Sequence, residues 1–416
     1  MKKKEIAVVV ALIFFGWIYH TVEKADFGFL NDLSFSVDGT RLWTDQYSEF
    51  IQKEMRFAAI QKIVLDNPAG GVKIQRATDD QALIRPLIRV YHDQKLEAEK
   101  LLRQIRIETK VENQELKISV QQPNFPYHRV RIFFVLAVPE NTQLDVRNRY
   151  GNVDIQGAGK KISVDETYGD AVIGDIDSTV DVFCKYGALQ VRNIKGKAFL
   201  ETRYTNIQAE NIGGIEIDAK YESAVVRDIR GPAKIRYDYG TLALFGAESA
   251  EIYTKHTKLT AKNVKHESKI RNSFESVWLE NLFGDIHLST KNCKINLLNC
   301  RSDSLVIENS FDNVKIQGFS GLSIDVSLQH GEIALDFVEV KDKINLDCRY
   351  GNIVLAIPFG CSPSFNLKTK YGEIIHPSDM EIPISQDGIE KYVNLVGKKP
   401  GIMINNVYGD IELKHK

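Results

Sequence analysis

The sequence predicts an all-β fold: a β-solenoid of stacked coils with a period of about 18 residues and a small α/β cap near its N-terminal end. Three observations carry that prediction. First, the unit RYGNVDI at Tyr150 recurs as TYGDAVI at Tyr168, KYGALQV at Tyr186, RYTNIQA at Tyr204, KYESAVV at Tyr221 and DYGTLAL at Tyr239. Weaker copies follow at His256, Phe274, Asn292, Phe311 and His330, and strong ones return at Tyr350, Tyr371 and Tyr408. Second, the anchors from Tyr150 to Tyr371 are spaced 18, 18, 18, 17, 18, 17, 18, 18, 19, 19, 20 and 21 residues apart. Third, each unit holds two short alternating runs. In one copy Ile162 and Val164 point inward before the Tyr168-Gly169 pair, and Ala171 and Ile173 after it.

A unit of this length cannot bury its own apolar edge; stacked units can, each packing on its neighbours. Equivalent residues then form columns. The aromatic anchors become a ladder of rings about 4.8 Å apart, read here as packing at a corner rather than as a ligand platform. The glycine after the anchor (Gly169, Gly187, Gly240, Gly351) suggests a positive φ there, although Thr205 and Glu222 share the position. Two residues before the anchor, Asn148, Thr202, Asn272, Thr290, Asn309, Thr369 and Asn406 form a small polar column able to hydrogen-bond along the stack.

Taken in chain order, Lys2, Lys3 and Lys4 precede an apolar run of 14 residues, Ile6 to Tyr19, the form of an export signal. The absence of a small-residue cleavage site favours a retained anchor over a cleaved peptide. No cysteine follows, which excludes lipoprotein processing. Residues 1–24 are therefore read as a membrane anchor or signal segment, and the positive-inside rule leaves the lysines in the cytoplasm. Residues 25–56 form a linker or peripheral segment, where Trp43, Tyr47, Phe50 and Ile51 have helical spacing. Residues 57–145 form the cap and early strands. Pro86 there argues for an edge strand, and a helix is expected over His92 to Ile105. Residues 146–416 are the solenoid, interrupted by an inserted loop near 376–403 that precedes a last coil.

Composition narrows the function. Lys+Arg (54) and Asp+Glu (55) nearly cancel and are interspersed, which argues against a nucleic-acid partner. The five cysteines form no CxxC motif. Cys184 and Cys348 share a column but stand nine coils, or about 43 Å, apart, beyond disulfide reach. Cys293 and Cys300 remain a candidate pair. No H-E-x-x-H, G-x-S-x-G or P-loop motif is present, and the nine histidines show no ligand spacing. No catalytic residue, metal ligand or cofactor site is assigned.

The YGNVDI-type units, together with Ile63-Val64-Leu65-Asp66-Asn67-Pro68-Ala69-Gly70-Gly71-Val72 and Val135-Leu136-Ala137-Val138-Pro139, resemble the bacterial putative-adhesin β-strand-repeat family, a domain of unknown function. The resemblance covers residues 57 to 416. It implies a right-handed parallel β-helix in the bacterial cell envelope. The expectation is a non-enzymatic, membrane-anchored protein with its bulk exported to the periplasm or the cell exterior. Its long surface would meet an envelope protein or polysaccharide. The rival expectations are a carbohydrate-active β-helix enzyme (lyase or hydrolase) and a self-assembling envelope scaffold.

Overall fold

The computed structural model describes residues 40–43, 47–51, 53–121 and 129–416. The N-terminal anchor segment lies outside them. The chain divides into two compact units, Met1–Gly213 and Gly214–Lys416.

In the first unit the regular coils follow the predicted register. Gln143–Asn148 runs parallel to Lys161–Glu166, which runs parallel to the start of Thr179–Lys220, with Leu144, Ile162 and Val180 in one column. After the corner, Val153–Gln156, Ala171–Ile176 and residues 189–194 stack likewise, with Ile155, Ile173 and Val191 in register. The inward alternation is real: Ile162, Val164, Ala171 and Ile173 are all buried. Parallel pairing satisfies each strand's backbone on both sides, while the apolar columns meet inside.

Below the regular coils, sequence order breaks down. The coil of Lys62–Asn67 and Val72–Arg76 pairs on one side with 143–156. On its other side lie Glu115–Gln121 and Val130–Val138, which come later in the chain than the coil they support. Arg106–Glu112 then pairs antiparallel with Glu115–Gln121, and Gln81–Tyr91 pairs antiparallel with Val130–Val138. The helix Lys95–Gln104 appears where it was expected and buries Ala98 and Leu102.

Two expectations in this cap are corrected. Trp43, Tyr47, Phe50 and Ile51 belong to strands, not a helix: Thr40–Trp43 pairs antiparallel with Tyr47–Ile51, which pairs with Gln81–Tyr91. An available strand edge overrides the weak helical spacing. Gln81–Tyr91 is also no edge strand. Its second side is shared by Met55–Ala58, in register with 81–84, and Tyr47–Ile51, in register with 87–91. Pro86 falls in the gap between them, where no N–H is needed.

In the second unit, Ile252, Ile270, Leu288, Ile307, Val326 and Leu346 form one inward column on successive coils. The extra residues of the later coils are absorbed outside the two ladders, at register shifts between Ile316 and Ser323. The last coil in the sequence is not the last in space. Residues 402–415 lie between 344–357, with Ile344 opposite Ile402, and 363–375, with Phe365 opposite Ile402. The segment read as an inserted loop contains Ser385–Asp387 and Glu390–Leu395, a hairpin that pairs antiparallel with Pro363–Thr369.

Candidate binding surfaces

The first corner carries the aromatic ladder. In the first unit Tyr150, Tyr168, Tyr186 and Tyr204 stack with ring centroids 5.0–5.1 Å apart and planes within 8°. The second unit has two runs, Tyr221–Tyr239–His256–Phe274 and Phe311–His330–Tyr350–Tyr408–Tyr371. The tyrosines are 37–50% exposed, but what they expose is ring edge and hydroxyl. Each inner ring has both faces occupied by its neighbours, so a sugar or base cannot stack on it. The packing reading of this column fits the geometry.

The expected positive φ after the anchor is found at Gly240 and Gly351, at 146° and 148°, but not at Gly169 or Gly187. From Tyr186 through Phe274 the anchor residue itself takes the left-handed conformation, with φ of 60° at Tyr186 and 54° at Tyr204. That is costly for a bulky side chain and is sustained by stacking. Gly169 and Gly187 are needed for another reason. A methyl group on either would overlap the backbone carbonyl of the coil below, Gly151 O and Gly169 O respectively. Close backbone approach, not φ, excludes a side chain there.

Inside this corner the small polar column is buried, and its members are hydrogen-bonded except at Thr202, whose hydroxyl has no partner among the described residues. Asn67 Nδ2 donates to Asn148 Oδ1 (2.9 Å), and Asn148 Nδ2 donates to Glu166 Oε2 (2.8 Å). Thr254 Oγ1 donates to Asn272 Oδ1 (2.8 Å), and Thr290 Oγ1 to Asn309 Oδ1 (2.9 Å). Others turn back to corner carbonyls, as Asn406 Nδ2 does to Gly351 O (2.9 Å). These bonds satisfy turn carbonyls that face the interior. Glu166 is fully buried within the column. Burial pushes its carboxyl up to about 9, partly offset by the Asn148 amide, so it is neutral near pH 7. Cys184, Cys293, Cys300 and Cys348 are buried free thiols, so Cys293 and Cys300 are not joined. Burial raises Cys184 to about 12 and Cys293 to about 11, which leaves both unreactive.

A second corner column escaped the sequence reading. Asp175, Asn193 and Asn211 in the first unit, and Asp228, Asn263, Asn281 and Asn299 in the second, all adopt φ between 52° and 60°. Their side chains form an exposed ladder: Asn193 Nδ2 to Asp175 Oδ1 (2.8 Å), Asn211 to Asn193 (2.9 Å), Asn281 to Asn263 (3.2 Å). The signal was present as Asn, Asp or Gly recurring at the coil period.

The outer face of the second unit carries the concave surface. Arg271, Ser289, Glu308, Ser327, Asp347 and Asn405 occupy one outward column in register. The short serines between longer side chains leave adjoining hollows of about 300, 310 and 490 Å³. Their walls are braced. The Arg271 guanidinium lies 5.4 Å from the Tyr253 ring centroid, Asn345 Nδ2 donates to Asp325 Oδ1 (2.6 Å), and Asn405 Nδ2 to Asp347 Oδ2 (2.9 Å). Among the described residues no group of His, Cys, Asp or Glu is placed to hold a metal ion. Among them also, no helix is long and apolar enough to cross a membrane.

This stacked-coil architecture, with its aromatic corner, agrees with what family comparison returns. The model of the Toastrack DUF4097 family matches residues 60–414, and the chain belongs to that family. The resemblance read from the YGNVDI units is thereby borne out. Among solved structures the chain is similar to a putative cell adhesion protein from Clostridium sporogenes, at 11% identity over 88% of this chain and 99% of that one (TM-score 0.16). It is also similar to a putative adhesin from Parabacteroides distasonis, at 12% identity over 71% and 94% of the two chains (TM-score 0.23). A putative adhesin from Bacteroides fragilis is 10% identical over 90% and 98% (TM-score 0.17). At these TM-scores the likenesses carry no argument about function. No curated protein matches the chain.

Proposed function

We propose that this chain is a non-enzymatic protein of the bacterial cell envelope whose coils present an extended surface to a polysaccharide or protein partner. In this reading the N-terminal segment holds it at the inner membrane with the bulk exported, and the coils wind right-handed. The observation that carries the proposal is the in-register column from Arg271 to Asn405. It forms a shallow run of open hollows across several coils rather than one enclosed pocket. Small-molecule sites bury most of their ligand in one concavity; a run of open hollows suits a polymer that touches successive coils. The scaffold alternative is disfavoured, because in each unit an antiparallel strand (Arg106–Glu112, Glu390–Leu395) covers an outer parallel strand that would otherwise template end-to-end pairing.

Purified chain is to be assayed for retention on isolated envelope polysaccharide and on envelope protein extract. The double variant Arg271→Ala/Glu308→Ala is expected to lose at least about tenfold in retention on one of them. Equal retention by wild type and variant on both would overturn this surface, and catalytic turnover of the glycan would overturn the non-enzymatic reading.

A further inference from the structure

Trp278 is an exposed aromatic ring outside the ladder. It is 41% exposed on the outer face of Ser268–Glu280. Its neighbours on the coils to either side are Thr260 and Asn296. Neither carries a ring, so the indole is not sandwiched as the ladder tyrosines are. Its Nε1 donates to Glu280 Oε2 (3.3 Å), and Glu280 is also bound by Lys262 (2.6 Å). That pair orients the indole and neutralises the nearest carboxylate.

Two residues earlier on the same face lies the column Lys258, Ser276 and Lys294. Ser276 is in register with Lys294, and Leu259 is in register with Val277, which sets Lys258 opposite Ser276. Both lysines are exposed, and among the described residues neither has a carboxylate within ion-pair distance. They stand two coil spacings apart, about 10 Å, diagonal to the indole on either side. Lys262, Lys265 and Lys269 on these coils are engaged with Glu280, Glu248 and Glu267.

The patch therefore combines an accessible aromatic face, short polar side chains on both sides of it (Thr260, Asn296, Ser276) and two unneutralised cations. A sugar ring offers a C–H face to an indole and hydroxyls to short polar groups. Two free ammonium groups add a demand for negative charge on the sugar. We propose that the face centred on Trp278, with Lys258 and Lys294, is a binding site for an acidic oligosaccharide, one whose units carry carboxylates. This rests on the polysaccharide arm of the proposed function and names the chemistry of the ligand. The inner rings of the aromatic ladder supply no such site, because both their faces are filled.

The test is calorimetric titration of the full chain with oligogalacturonate and with a glucuronate-containing oligomer. Their methyl-esterified forms and inorganic polyphosphate serve as controls. The expected result is saturable binding of at least one acidic oligomer. Esterification, Trp278→Ala, and Lys258→Glu/Lys294→Glu should each weaken it at least about tenfold, with thermal unfolding of the lysine variant unchanged. Binding of the esterified form as tightly as the acid would overturn the role of the lysines. Equal binding of polyphosphate, insensitive to Trp278→Ala, would reduce the patch to non-specific charge and overturn the proposal. So would failure of both acidic oligomers to bind. Envelope polysaccharide retention that falls with Arg271→Ala/Glu308→Ala but not with Trp278→Ala would remove this site while leaving the proposed function standing.

Discussion

The coil turns twice through left-handed backbone, and the two corners achieve it by opposite means. At the first corner the turning residue is an aromatic, Tyr186 or Tyr204, with glycine or another residue close against the coil below. A bulky residue at positive φ is strained by about 1–2 kcal/mol, and the strain is met by ring stacking outside and buried amide bonds inside. At the second corner the turning residue is Asn or Asp, which tolerates that conformation and bonds its own kind on the next coil. The first corner is thus held by tertiary contacts and is sensitive to volume. The second is held by local preference and is sensitive only to residue type.

That contrast can be broken most severely at Gly169. Gly169→Val places side-chain atoms on the Gly151 carbonyl, and we expect loss of the cooperative thermal transition followed by circular dichroism. A variant with unchanged Tm would refute the close approach.

A smaller effect is expected at Glu166. In the unfolded chain its carboxyl titrates near the ordinary 4.5, in the fold near 9. Between those values the folded form holds the extra proton. Stability is therefore greatest below about 4.5 and falls as pH rises toward 9, by at most about 1.4 kcal/mol per pH unit. Glu166→Gln keeps the bond from Asn148 and removes the titration. Its Tm should exceed that of wild type at pH 8 and converge with it at pH 4; parallel pH profiles would show that this corner does not bury a protonated acid.

The smallest effect sharpens the second corner. Asn193→Gly should change stability by no more than about 0.5 kcal/mol, since glycine accepts the backbone and the two ladder bonds lost, to Asp175 and from Asn211, are exposed. Asn193→Val, with a branched side chain at φ 54°, should cost about 1–2 kcal/mol in urea unfolding. Equal costs for the two would mean that backbone conformation does not govern this corner.

These differences explain what could be read in advance. Tyr150, Tyr168 and Tyr186 announce their corner because a large aromatic at a fixed period is conspicuous. Asn148, Asn272 and Asn406 could be placed in an interior column because small polar residues recur where apolar ones should stand. Asn193 and Asn281 went unnoticed, since Asn, Asp and Gly also suit any loop and carry no burial signal. The outer column from Arg271 to Asn405 follows no chemical pattern. Its hollows exist because Ser289 and Ser327 fall in register with longer side chains, which is apparent only once the coils are aligned. Trp278 likewise gains its meaning from Thr260 and Asn296, each 18 residues away.

By itself the sequence determined the period, the two strands per coil and which residues face inward, because alternation and spacing are local properties of the chain. Only the tertiary structure decided which coil lies beside which in the irregular part of each unit. Residues 62–76 are held between 115–138 and 143–156, and residues 402–415 between 344–357 and 363–375. The physical reason is that parallel strands join through backbone groups common to every coil. Local pattern specifies how a coil pairs, but the choice of neighbour is made by the hairpins that close each end and by the packing beneath them.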